Sequence, residues 1–121
     1  MRVGYVVLYV TDPAACLAFW TSKVGMVEKG RKQAGDFSIV QIGFADQQFS
    51  FELVPLALMA DNPNGLDLAT PSIAFHSENL ADIRERLVGN GVIASEIGNH
   101  SGVTAFAFSD NENRWFAVTE G

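Results

Sequence analysis

Cysteine is nearly missing from this chain. Cys16 stands alone among 121 residues, so no internal disulfide forms and a reducing, cytoplasmic setting is expected. Positive charge is scarce as well: eight Lys and Arg face fourteen Asp and Glu, for a formal net charge of −6. The long-range field of such a chain repels phosphate backbones and anionic membrane surfaces, which argues against nucleic acid as a partner. No charged start followed by an apolar run reads as a secretory signal, and no stretch is long and apolar enough to span a bilayer, so no membrane partner is expected either. A glycine-rich phosphate loop, a serine elbow and a CxxC pair are all missing. What is present is core material. Hydrophobic residues make up 48% of the chain and aromatics 11%, enough for a domain of this length to bury about two-thirds of its unfolded surface. One domain over residues 1–121 is expected.

The chain reads as two similar halves. Val3 to Val10 is a β-branched and aromatic run of strand length, stopped by Thr11-Asp12-Pro13. Asp12 fits an N-cap and Pro13 the first helical position, where a missing N–H costs nothing. Ala14 to Lys23 follows as a helix with Cys16, Phe19 and Trp20 at helical spacing, and Gly25 stops it. Three extended stretches come next, about Met26 to Gln33, Asp36 to Gly43 and Gln48 to Pro55, joined by short hairpin connections. Turn residues from Met59 to Thr70 mark a linker.

Beyond the linker the order repeats. Ser72 to His76 is a strand, Asn79 to Val88 a helix ended by Gly89-Asn90-Gly91, and Val92 to Ile97, Val103 to Ser109 and Arg114 to Thr119 are strands. The post-helix glycines Gly25 and Gly91 lie about 66 residues apart, a spacing too long for a solenoid and suited to a duplicated module. The expected fold is α+β: two βαβββ modules, about 1–57 and 71–121 around a linker at about 58–70, whose strands make a curved, mostly antiparallel eight-stranded platform with two outer helices. Period-two alternation then sorts the faces. Val6, Leu8, Val10, Phe51, Leu53, Ile73 and Phe116 suit the helix side, and Phe49 is placed there with them. Tyr5, Val7, Tyr9, Ser50, Glu52, Val54, Ser72, Ala74, His76, Trp115, Ala117 and Thr119 fall on the concave side. A mixed aromatic and polar concave face suits a small-molecule pocket.

The segments Val7 to Pro13, Phe19-Trp20, Val24-Gly25-Met26, Phe51 to Val54, Ile73-Ala74-Phe75 and Phe106 to Trp115, in that order, resemble the glyoxalase, bleomycin-resistance and extradiol-dioxygenase superfamily, the vicinal oxygen chelate fold. The resemblance implies four inward metal-ligand positions in the metal-dependent members, and here those positions fall on Tyr5, Glu52, Ser72 and Ala117. Only Glu52 is an ordinary divalent-metal ligand, whereas stable sites of nitrogen and oxygen donors need three or four. The expectation is therefore no metal and no cofactor, as in the bleomycin-sequestering members. His76 shares the strand face of Ser72 but lies four residues along, roughly 13 Å away, too far to replace a missing ligand. It reads as a rim or solvent histidine, a ligand contact, or an acid/base group.

Glu52 has three open readings: an anchor that hydrogen-bonds a ligand, a catalytic general base, and a structural remnant. Tyr5, Tyr9 and Trp115 are core aromatics or stacking platforms, and Ser72, His76 and Glu52 complete the expected ligand contacts. Trp20 packs the first helix, Cys16 is a small buried thiol, and His100 sits in a glycine-flanked loop that can border the cavity. The function this supports is a metal-independent protein that encloses a small aromatic or cationic organic molecule. The alternative is a glyoxalase-type isomerase or lyase with Glu52 as base or with an atypical metal site. A third reading is a dimer module without a small ligand. A homodimer is expected, because long sheet edges need a cover and the resemblance implies one.

Overall fold

The structure, a computed structural model, describes residues 1–120. It divides into two compact units, Met1–Thr70 and the remainder from Pro71.

In the first unit Asp12 caps α1 (Pro13–Phe19): its Oδ1 accepts the amide N–H of Ala15 at 3.1 Å, with Pro13 in the first turn. The expected helix to Lys23 changes character partway, continuing from Trp20 to Val24 as a wider π turn. Gly25, at φ +99, closes it, and the N–H groups of Gly25 and Met26 both donate to the Trp20 carbonyl. Only a residue without Cβ adopts this left-handed conformation readily. The strands are β1 (Val6–Val10), β2 (Val27–Ala34), β3 (Phe37–Gly43) and β4 (Phe51–Pro55), in the spatial order β1-β4-β3-β2. The β1–β4 pair is parallel, the others antiparallel. Strand β1 is shorter than expected, beginning at Val6, and β4 begins at Phe51.

Helix α1 packs on β3 and β4. Leu8, Val10, Cys16, Trp20, Ile42, Phe51 and Leu53 are almost wholly buried there. The Trp20 ring meets Phe19 and Phe51 edge-on, each at 5.4 Å between centroids, a favoured aromatic geometry. Phe49 departs from its expected place beneath the helix and is 40% exposed, at the end of the loop before β4. The Lys29 ammonium donates to the carbonyl oxygens of Gln47 and Phe49 in that loop. Lys29 sits at an irregularity in β2 between Glu28 and Gly30, where an extra residue leaves the ladder and its side chain is re-aimed.

The linker begins earlier than its turn residues suggested, with a 3-10 turn at Leu56–Met59. Asn62 then both donates to the Leu66 carbonyl and accepts its N–H, closing a turn through a side chain.

The second unit repeats the plan with β5 (Ala74–Ser77), α2 (Leu80–Gly89), β6 (Gly98–His100), β7 (Val103–Ser109) and β8 (Trp115–Glu120). Its order is β5-β8-β7-β6, again with the first pair parallel. Asn79 caps α2 by accepting the Asp82 N–H. Phe75, Phe108 and Phe116 form a ring cluster with centroids 5.7 to 6.0 Å apart, beside α2, which packs on β7 and β8.

Strand β6 corrects the sequence reading. Val92 to Ile97 makes only one bridge, Ala94 with Phe108. Ser95 interrupts the ladder: its hydroxyl accepts the Ala107 N–H that a strand carbonyl would take, while its own carbonyl is turned to Arg84 Nε at 2.7 Å. Pairing resumes at Gly98–His100, which returns through Ser101 and Gly102, at φ 54 and 82, the signature of a two-residue hairpin turn. His100 is therefore a strand residue opposite Val103, not a loop residue.

The β7–β8 turn is tied by Asp110, which is buried and accepts from the amides of Glu112 and Arg114 and from Arg114 Nη1. Burial works against the Arg114 charge, but hydrogen bonds to Glu112 and Asp110 outweigh it and hold the guanidinium above its ordinary pKa. The fold is thus α+β, two βαβββ modules with their strands in two mixed four-stranded ladders. No described helix is long and apolar enough to cross a membrane.

Candidate functional site

Each sheet has one face under its helix and one away from it, and the register fixes what the second face carries. In the first unit Val7 pairs with Glu52, Glu52 with Gln41, and Gln41 with Gly30, so these four residues make one row across the sheet. Tyr9 pairs with Val54, and Lys32 with Ile39, in the next row. Residues two apart on a strand share a face. Glu52 is therefore flanked by aliphatic and aromatic side chains with two polar neighbours, Gln41 and Lys32.

Those neighbours hold it. Gln41 Nε2 donates to Glu52 Oε2 at 3.0 Å, and Lys32 Nζ lies 3.5 Å from the same oxygen. Glu52 is 4% exposed. A carboxylate this deep is tolerated only with a hydrogen-bond or charge partner, and here it has both. Gly30 allows the arrangement. A Cβ at that position would come within 3.3 Å of Gln41 Oε1, a tight approach. The amide oxygen of Gln41 thus faces β2 and its NH2 group faces the carboxylate. Both partners engage Oε2, and among the described residues Oε1 accepts no hydrogen bond.

Alternation found Glu52 but missed Gln41 and Lys32. The signal for them was present: Gln41 is the one amide inside the apolar run Ile39-Val40-Gln41-Ile42. The two-residue turn at Gly35-Asp36, with Ala34 opposite Phe37, sets Lys32 against Ile39 and Gly30 against Gln41 by counting back.

Tyr9 lies on the face of Glu52, one row away. Tyr5 precedes β1 and is 43% exposed. In the second unit Ser72 precedes β5 and is exposed, and His76 lies on β5 opposite Thr119, also exposed. Trp115 opens β8 opposite Ser109 and is 55% exposed. His76 and Trp115 stand at different ends of their sheet, since Trp115 is four residues from Thr119 on β8, roughly 13 Å along the strand. The row corresponding to Glu52 is Ala74, Ala117 and Ala107.

Within neither unit does the donor set fit a divalent metal ion. Across the strands Glu52 faces Val7, and Ala117 faces Ala74, none of which but Glu52 offers a donor. Glu52 already shares its Oε2 with an ammonium, which opposes a second cation. Among the described residues no three of His, Cys, Asp and Glu gather into a potential metal site.

No curated protein matches the chain at a significant level. Solved structures do. A member of the glyoxalase/bleomycin resistance protein/dioxygenase superfamily from Sphaerobacter thermophilus superposes with a TM-score of 0.84 at 18% identity, covering 100% of this chain and 98% of that one. UcmS2 gives 0.82 at 21% identity, with 100% and 98% covered. TnmS3, described as an antibiotic binding protein from a Streptomyces species, gives 0.80 at 15% identity, with 99% and 95% covered. At these identities the likeness is one of fold. The family description Glyoxalase/Bleomycin resistance protein/Dioxygenase superfamily matches residues 2–118. Nearly the full chain is thereby covered, and the chain belongs to that superfamily.

Proposed function

We propose that this protein binds a small organic molecule without a metal ion, in the manner of the bleomycin-resistance-like members, with Glu52 as the polar anchor. The observation that carries the reading is the state of that carboxylate. It is 4% exposed, held through Oε2 alone, and set among Val7, Tyr9 and Val54 on the face away from α1. An apolar lining with one or two oriented polar groups is the usual chemistry of a binding site for an organic ligand. Tyr9 supplies an aromatic surface there, and the description of TnmS3 as an antibiotic binding protein supports the same class. Tyr5, which precedes β1 in the same unit, is proposed as a further contact of the ligand. The setting is a reducing one, where Cys16 remains a thiol.

The reading includes a homodimer. In each ladder the outermost strands, β1 and β2, then β5 and β6, leave one side of their backbone outside that ladder, and such edges call for a cover. Light scattering that returns a stable monomer at micromolar concentration would count against this part.

A thermal-shift screen of small aromatic compounds tests the binding itself, run on the parent protein and on Glu52→Gln. Hits that stabilise the parent and fail to stabilise Glu52→Gln are expected. Hits that stabilise both equally place the site elsewhere. Elemental analysis of protein purified without chelators, showing about one Zn, Ni, Fe or Mn per chain and its loss in Glu52→Gln, would overturn the metal-free assignment.

A further inference from the structure

We infer that Lys32 sets the charge of the ligand: paired with Glu52, it makes this face of the first unit locally neutral, so that the site prefers an uncharged amide-type group over an organic cation. The inference rests on the binding reading above and narrows its ligand class.

A buried carboxylate by itself attracts cations, and the net charge of −6 adds a long-range pull in the same direction. That pull is screened over about 8 Å at physiological salt. What a bound group meets is decided at closer range, where Lys32 Nζ stands 3.5 Å from Glu52 Oε2. Within the two rows that carry the pair no other side chain is charged, since Val7, Tyr9, Val54, Ile39, Gln41 and Gly30 are all neutral, and the next charge along this face, the Lys29 ammonium against Gly43, is again a cation. A cation reaching Oε1 would be repelled by the Lys32 ammonium, whereas a neutral N–H donor would not.

The hydrogen-bond directions point the same way. Oε2 is occupied by Gln41 and Lys32, and Oε1 is open, so an incoming group should donate to Oε1. Leaving that oxygen desolvated without a donor would be costly. Lys32 has three N–H donors and spends one direction on Glu52, while its side chain keeps 59% of its exposure. It can therefore donate to an acceptor on the same ligand. A group that donates beside an acceptor, with no net charge, is a carboxamide, a lactam or a urea. An amidinium has the same shape but offers donors only.

Benzamide and benzamidinium are near-isosteric probes that differ in this respect. Each is titrated at millimolar concentration into the full chain, followed by backbone amide shifts of β1 to β4, with wild type, Lys32→Met and Lys32→Arg compared. Wild type and Lys32→Arg should favour benzamide. In Lys32→Met the ratio of the two dissociation constants should move toward benzamidinium by about tenfold. The Lys32 side chain is largely exposed, so both variants should fold, which far-UV circular dichroism checks. If the probes shift amides around Glu52 but wild type prefers benzamidinium, or the ratio is the same in Lys32→Met, this inference is overturned and the binding reading stands. If neither probe moves these amides in any of the three proteins, the binding reading fails and the inference falls with it.

Discussion

The two units share a strand order, a parallel first pair and a helix on one face, yet their other faces have little in common. Across the first sheet runs Val7, Glu52, Gln41 and Gly30; across the second runs Ala74, Ala117 and Ala107. Under the helices the two are alike in kind, with Phe51, Leu53 and Ile42 in one and Phe106, Phe116 and Val118 in the other, all at 3% exposure or less. The difference shows which face holds the fold. Strand register is fixed by the apolar side, because a slip of one residue would bring every core side chain out and carry a carboxylate beneath a helix. The opposite side is then free to carry chemistry in one unit and methyl groups in the other.

The largest effect should come from the shared side. Phe51→Ala and Phe116→Ala each remove a ring that is 1% exposed or less, and each should destabilise the protein by about 3 to 5 kcal/mol. Denaturant unfolding monitored by fluorescence and circular dichroism measures both. Equal costs support the equivalence of the two helix-side faces. A cost below about 1 kcal/mol in one of them would break it, since a fully buried phenyl cannot be lost so cheaply from a packed core.

The same division explains what could be read without coordinates. Alternation and caps do well wherever one face is buried. Asp12, Pro13 and Gly25 bracket the first helical segment as expected, and Val103 to Ser109 is found with its bounds intact. The failures come from side chains that act in place of backbone. Val92 to Ile97 has strand composition, but Ser95 takes a ladder hydrogen bond with its hydroxyl and Arg84 takes the Ser95 carbonyl, so the strand proper begins only at Gly98. Composition cannot show that. The site was half legible for a related reason. Glu52 is conspicuous as a charge in an apolar strand, whereas Lys32 lies in Val27–Ala34, a largely exposed strand rich in charge, where one lysine looks like any other solvated residue. Its role emerges only from the register of β2 against β3, which has to be counted back from the two-residue turn at Gly35-Asp36.

A second comparison sharpens the contrast between the open faces. Glu52→Ala should cost about 1 to 3 kcal/mol, because the Gln41 amide loses the acceptor it is aimed at. Ala117→Glu, which puts a carboxylate at the corresponding position of the second unit, should cost less than about 1 kcal/mol. Ala117 is only partly buried, so a long side chain can carry its charge toward water. Urea unfolding of the two variants beside the parent protein decides it. If Ala117→Glu is the more damaging change, the second face is less tolerant than its alanines suggest.

The smallest expected effect concerns the ion pairs. In the second unit Asp110 and Arg114 are buried together within the β7–β8 turn, their side chains 1% and 12% exposed. In the first, Arg31 and Glu28 meet on the exposed β2, at 2.8 Å. Their hydrogen bond holds the Glu28 carboxyl below its ordinary 4.5; desolvation opposes it, and their Coulomb attraction adds a smaller lowering effect. A carboxylate whose pKa is lowered by folding stabilises the native state above its ordinary value, and that contribution is lost as the pH falls through the lowered one. Arg31→Met should therefore be slightly less stable than the parent near pH 7 and should lose that difference at an acid pH below the lowered value, where Glu28 is protonated. Because the pair stands in solvent, high salt near neutral pH should also erase the difference. Matched thermal melts at the two pH values, with and without added salt, read it out. A difference that persists in acid or in high salt would mean that Arg31 acts through its aliphatic stem and not through its charge.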